Sequence, residues 1–177
     1  MKRQQSGFTL IELIIVIVIL GILAITAAPR FFSFGTDAKV SALRGASGAL
    51  QSAGNLVYAK AILAGVQTGS NCLTSVGAVQ TGTCTPANGD IQLLNGYPAA
   101  DIQSIRNVAE LAATEWDVVD VTTAIANVSA DGDVLVGFAG TNPAAVTTEA
   151  AACFLVYKSA ATAGAKPSVI AHTQGCN

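Results

Sequence analysis

The sequence predicts an α+β fold, one long N-terminal helix (a hydrophobic stalk and an amphipathic half) packed on a small antiparallel β-sheet. Two observations predict the helix. An apolar run extends from Phe8 to Ala28. Beyond Gly35, Val40, Leu43, Ser47, Leu50, Gly54, Val57, Ala61 and Ala64 recur at spacings that alternate between three and four, which is one face of a helix. A third observation predicts the sheet: short β-branched and aromatic segments late in the chain are separated by turn residues. One helix laid on one sheet buries the apolar face of each. The chain has 177 residues, enough for one globular body and an attached segment.

The apolar run is the most informative element. Its 21 residues carry one charge, Glu12, and Lys2 and Arg3 precede it. At ~1.5 Å per residue such a helix spans a ~30 Å hydrocarbon core. The basic residues should stay on the cytoplasmic side, with the rest of the chain translocated. A carboxylate in a membrane helix costs on the order of 2.5–3.5 kcal/mol, unless it lies near the interface or finds a cation. A cut between Gly7 and Phe8 would supply that cation, an α-amine one helical turn from Glu12. Between subunits the same pair would offset the desolvation of both charges and set axial register. Two plainer readings compete. One is a conventional secretory signal with Leu10–Leu23 as its core and a cut near Ala27 and Ala28, against which Glu12 and Pro29 both argue. The other is an anchor that is never processed. Gly21 weakens the helix and Pro29 removes a helix hydrogen bond, so Gly21–Pro29 is where the stalk can bend or unwind, the alternative being a gently curved continuous helix.

The stretch G-F-T-L-I-E-L-I-I-V-I-V-I-L-G-I-L-A resembles the class III signal of type IV prepilins and pseudopilins, with Lys2 and Arg3 as the basic leader, Gly7 before the cut, Phe8 as the new N-terminus and Glu12 as the fifth mature residue. The seven-residue leader is typical of the a-type group. The resemblance implies cleavage after Gly7 and N-methylation of Phe8 by a prepilin peptidase. It divides the chain into a leader over 1–7, a transmembrane and assembly stalk over 8–29, and a periplasmic or extracellular head over 30–177. It also implies that the Gly21–Pro29 stretch can melt on assembly. Within the family, the a-type pilins of mannose-sensitive haemagglutinin fibres are similar at Gly96–Pro98, at C-F-L-V-Y from Cys153, and at Gly175-Cys176.

In the body, Asp37 suits a first helical turn, Lys39, Arg44, Gln51 and Lys60 lie off the apolar face, and Gly65 is a plausible stop. Residues 65–100, rich in Gly, Thr, Ser and Asn, read as a loop region with one short strand at most. Asn95-Gly96-Tyr97-Pro98 reads as a turn. Asp101 can cap a short helix with Ile102, Ile105, Val108 and Leu111 inward. Strands are expected at Trp116–Thr122, Val134–Phe138, Cys153–Lys158 and Ser168–His172, the second following a turn at Ser129–Asp133 and the last two forming a hairpin-like return. Four cysteines behind an export signal read as disulfides. Of the three connectivities, Cys72–Cys84 and Cys153–Cys176 close short local loops and are favoured over free thiols.

No catalytic constellation is visible, so neither an enzyme nor a cofactor is expected. His172 is the single histidine and reads as a hairpin or surface residue. No C-x-x-C pair, P-loop, Rossmann or G-x-S-x-G signature occurs. Asp131-Gly132-Asp133 resembles part of a calcium loop but lacks the full ligand series, so a turn is the plainer reading and no metal is expected. Trp116 could stack a carbohydrate, although a buried sheet residue is the plainer reading. The family resemblance implies a structural subunit that polymerises through its apolar helix into an extracellular fibre for adhesion, haemagglutination-type attachment and biofilm formation. Implied partners are further copies of itself in a helical homopolymer, the prepilin peptidase, the inner-membrane assembly platform and secretin, and a host or surface carbohydrate. The implied location is the inner membrane as precursor, then a fimbrium on a Gram-negative bacterium. A type II secretion pseudopilin is the alternative, and a DNA-uptake pilin a weaker one. Without Lys2 and Arg3, seven basic side chains face eleven acidic ones, so no nucleic acid is expected.

Overall fold

The computed structural model describes residues 7–81 and 84–177, and for 27–33 the backbone only. Two compact units divide the chain, Met1–Ala38 and Lys39–Asn177. Apart from Gly7, the expected leader lies outside the described residues, as does the side chain of Pro29, while the backbone over Gly21–Pro29 is helical within α1.

Helix α1 covers Leu10–Leu63. Its end is set by Gly65, whose positive φ of 70° a side chain would disfavour. The Gly65 N–H donates to the Ile62 carbonyl at 3.0 Å and the Val66 N–H to the Ala61 carbonyl at 2.9 Å, the paired bonds of a Schellman stop. In the second unit, Leu43, Ala46, Ser47, Leu50, Gly54, Val57 and Ala61 are buried, while Lys39, Arg44, Gln51 and Lys60 are exposed. The inward face closes at Ala61; Ala64 is exposed because the helix has already ended.

Two antiparallel sheets, each of four strands, replace the single small sheet expected. The first comes from the region expected to be a loop. It comprises β1 (Ser70–Leu73), β2 (Val79–Gln80), β3 (Ile91–Leu94) and β4 (Tyr97–Pro98), in the order β2-β1-β3-β4. These strands have two to four residues each, too short to show alternation in sequence. The expected four-residue turn shrinks to Asn95-Gly96, both at positive φ, and pairs Leu94 with Tyr97. This is hairpin chemistry for a two-residue connection. Pro98 is tolerated because β4 is an edge strand.

Helix α2 (Ile102–Ala109) follows, capped as expected: the Asp101 side chain accepts from the Ser104 N–H. The second sheet is a meander of β5 (Trp116–Asp120), β6 (Val134–Phe138), β7 (Phe154–Lys158) and β8 (Ser168–His172). β5 stops at Asp120 rather than Thr122, since the chain there turns, and β7 begins at Phe154, leaving Cys153 just outside the ladder.

Three apolar clusters hold the second unit. Leu43, Ala46 and Leu50 of α1 pack with Ile105, Leu111, Val118, Val134, Val136, Leu155, Tyr157 and Cys176. Val57 and Ala61 pack with Leu73 and Leu93 of the first sheet. The other face of the second sheet buries Leu135, Phe154 and Val156 beneath Val121, Ile125, Val128 and Ala152. This alternation of faces follows from the two-residue repeat of a strand. The two sheets are tied by polar bonds: the Tyr157 hydroxyl donates to the Pro98 carbonyl at 2.6 Å, and the Asn95 amide to the Ala160 carbonyl at 3.0 Å. Burial, then Tyr97, pushes the Tyr157 phenol well above its ordinary pKa, so it remains a donor at any physiological pH.

Candidate functional site

The expected processing and assembly residues meet at the start of α1. Gly7, Phe8 and Thr9 are not helical, and α1 begins at Leu10. Phe8 is 93% exposed. Thr9 stands at the N-cap and Glu12 at the third helical position. The Glu12 Oε2 accepts from both the backbone N–H and the hydroxyl of Thr9, each at 2.8 Å, and the Glu12 N–H reaches back to the Thr9 hydroxyl at 3.3 Å. This is a reciprocal capping box. It was not anticipated from the sequence, where Glu12 reads as a charge awaiting an amine; Thr-x-x-Glu ahead of an apolar run is the signal that could have found it.

Beyond the box, large apolar side chains are exposed all round the helix, from 46% at Ile14 to 77% at Ile25. A helix apolar on every face is covered in its working state, by lipid or by other helices. Among the described residues no helix is long and apolar enough to cross a membrane. Gly21 sits inside α1, and a Cβ added there would meet nothing.

The four cysteines lie in the second unit, joined Cys72–Cys84 and Cys153–Cys176. The first bridge ties β1 to the following loop. Asp90 shares that neighbourhood, but its carboxylate already accepts from the Ser75 and Thr85 N–H groups, and both sulfurs are in the disulfide rather than available as thiolates. The second bridge fastens the C-terminal segment to the entrance of β7. There the Gly175 N–H donates to the Ala152 carbonyl at 2.9 Å, and any Cβ on Gly175 would collide with the Ala151 carbonyl.

The remaining candidates are structural in their surroundings. Asp131-Gly132-Asp133 is a turn, and the Asp133 carboxylate accepts from the Ala130 N–H and pairs with Lys158 at 3.0 Å. Trp116 is half-buried and stacks on Phe138, ring centroids 5.2 Å apart. His172 is half-buried near Phe154 at the end of β8.

The family described as the prokaryotic N-terminal methylation motif matches residues 2–28. The type II secretion system core protein G of Pseudomonas aeruginosa is 54% identical over 44 residues, 25% of this chain and 31% of that protein. A type IV major fimbrial protein FimA of Dichelobacter nodosus is 35% identical over 104 residues, 56% of this chain and 67% of the relative. A second FimA of the same organism is 43% identical over 53 residues, 30% of this chain and 34% of that protein. The chain thus spans about a third of the length of the secretion relative. No solved structure matches significantly.

Proposed function

The chain belongs to the type IV pilin family, and from that premise we propose that it is the structural subunit of a fibre assembled through α1. The observation that carries this reading is the pairing of Gly7–Phe8 and the Thr9–Glu12 capping box with a helix whose apolar side chains are exposed all round. A cut after Gly7 by a prepilin peptidase leaves a Phe8 amine, the site of methylation, one turn from Glu12. Apolar stems then bury one another, and the amine of one copy meets the carboxylate of another. The precursor sits in the inner membrane and is passed by an assembly platform through a secretin to the surface of a Gram-negative cell. Adhesion, haemagglutination-type attachment and biofilm formation follow from many weak contacts along a fibre. The a-type haemagglutinin pilins are the subgroup this reading favours.

A second reading, a secretion pseudopilin, is supported by the 54% identity to core protein G. That match covers 44 residues, fewer than the 54 of α1. The fimbrial similarity covers 104 residues and must therefore reach beyond α1 into the body, which favours the surface fibre.

The test is to shear filaments from cells producing the chain, image them, and determine the subunit mass and N-terminus. A subunit beginning at N-methylated Phe8 is expected. Glu12→Ala, which removes cap and charge, and Glu12→Gln, which retains the acceptor but not the charge, should both abolish filaments. Abundant filaments from Glu12→Gln would refute the charge pairing. A product beginning near Pro29 would refute the assembly role altogether.

A further inference from the structure

A groove on the second unit lies between α1 and the entrance to β8. Its volume is about 330 Å³, and Gln51, Asn55, Tyr97, Lys166, Pro167 and Ser168 line it. The volume is at the small end of ligand pockets, suited to a mono- or disaccharide rather than a folded partner. Gln51 and Asn55 stand one turn apart on α1, so their amides project along the same wall. The Gln51 amide nitrogen donates to the Ser47 hydroxyl at 3.0 Å, and its carbonyl oxygen accepts no hydrogen bond among the described residues.

Asn55, Lys166 and Ser168 make no side-chain hydrogen bond or ion pair among the described residues. They are solvated donors and acceptors that a ligand can take over. Tyr97 is rigid, its ring stacked on Tyr58 with centroids 4.3 Å apart, and Pro167 offers a flat apolar face of the kind sugar C–H groups pack against. Burial, then Tyr58, raises the Tyr97 phenol above its ordinary pKa, so it stays neutral.

The charge of the lining is one-sided. Lys166 is its single ionised residue, and no carboxylate joins it, although the chain as a whole carries a net charge of −2. Such a lining selects a hydroxyl-rich ligand bearing a negative group. It lacks the deep apolar hole that a peptide side chain needs. The aromatic residue considered from the sequence as a sugar platform, Trp116, stacks instead on Phe138 and does not line this groove.

From these observations we infer that the groove formed by Gln51, Asn55, Tyr97, Lys166, Pro167 and Ser168 is a binding site for an acidic saccharide, a sugar carrying a carboxylate or a sulfate. The amides and the serine hydroxyl bond the ring hydroxyls, and Lys166 pairs with the acid. The inference deepens the adhesive reading above and rests on it for its biological use. Single-site binding will be weak, and a fibre repeating the groove turns it into avidity.

The experiment uses the full-length chain, solubilised in detergent, on immobilised oligogalacturonate, galactose 6-sulfate, which carries no carboxylate, and neutral maltose. Retention on an acidic sugar and not on maltose is expected. Preference between the first two distinguishes carboxylate from sulfate. Lys166→Ala should lower retention at least tenfold and Asn55→Ala several-fold, while Arg44→Ala, exposed on α1 outside the groove, should leave it unchanged. Equal retention on maltose, unchanged retention in Lys166→Ala, or an equal loss in Arg44→Ala would each overturn the inference, the last by showing diffuse charge attraction. Because the subunit is solubilised, a failure to form filaments would sink the fibre reading without touching this result, and wild-type filaments from Lys166→Ala would separate the two the other way.

Discussion

Removing the Cys153–Cys176 bridge tests the largest single constraint on the second unit. The bridge closes a segment of 23 residues. Chain-entropy accounting for a loop of that size gives about 3.4 kcal/mol of stabilisation, against about 2.8 kcal/mol for the 12-residue Cys72–Cys84 loop. Cys176 is fully buried in the main cluster, so its alanine variant loses sulfur packing as well, on the order of 1 kcal/mol. The assay is urea unfolding of the detergent-solubilised chain, followed by the fluorescence of Trp116, which reports the second sheet through its stack on Phe138. Cys153→Ala, Cys176→Ala and the double variant should each lose about 3–4 kcal/mol, with Tm falling on the order of 10 °C. The diagnostic feature is non-additivity. Either single change breaks the same bond, so the double should cost barely more than one. Singles that cost under about 1 kcal/mol each and simply add would refute the reasoning, because two unlinked side chains behave that way.

Three further outcomes are expected. Tyr157→Phe removes the hydroxyl that donates to the Pro98 carbonyl at 2.6 Å and leaves that carbonyl buried without its donor; urea unfolding should show a loss of about 1–3 kcal/mol. Gly175→Ala should destabilise by about 1–3 kcal/mol through collision with the Ala151 carbonyl, whereas Gly21→Ala, which meets nothing, should not lower the thermal stability of α1. Partial burial, then the Asp101 carboxylate, raises the Asp120 carboxyl above its ordinary value of 3.8. The folded state therefore prefers Asp120 protonated, an advantage present below the unfolded pKa and lost as pH rises through the folded one. Asp120→Asn should unfold at a slightly higher temperature at neutral pH, with the difference vanishing below pH 3.8; the gain is small because solvent screens an exposed strand end.

Periodicity made α1 legible, because six residues over Leu43–Ala61 repeat the same alternating spacing and all are buried. The same holds for β6 and β8, whose bounds agree with the apolar segments that mark them. The first sheet was not legible for the opposite reason. Val79–Gln80 and Tyr97–Pro98 are two-residue strands whose pairing comes from partners elsewhere in the chain, which no local pattern records. Asn95-Gly96 was the available clue: a two-residue Asn-Gly turn implies that its flanks pair. At the N-terminal site, residue types revealed the charge of Glu12 but not its hydrogen bonds, since capping depends on where helical geometry begins.

The capping box changes what Glu12 can do. Thr9 occupies Oε2 alone, through its amide and its hydroxyl, and Oε1 accepts no hydrogen bond among the described residues. One carboxylate can therefore hold the helix entrance in shape and still leave an oxygen for the amine that the proposed assembly would bring. The arrangement also lowers the cost of keeping a charge in apolar surroundings. Two donors already solvate it, and the positive end of the α1 dipole lies against it. A carboxylate left unfixed would have to be ordered and desolvated at the moment of docking. Under the proposed pairing the ordering would precede assembly, and only the mutual desolvation of amine and acid would remain to be met by the burial of the apolar stems.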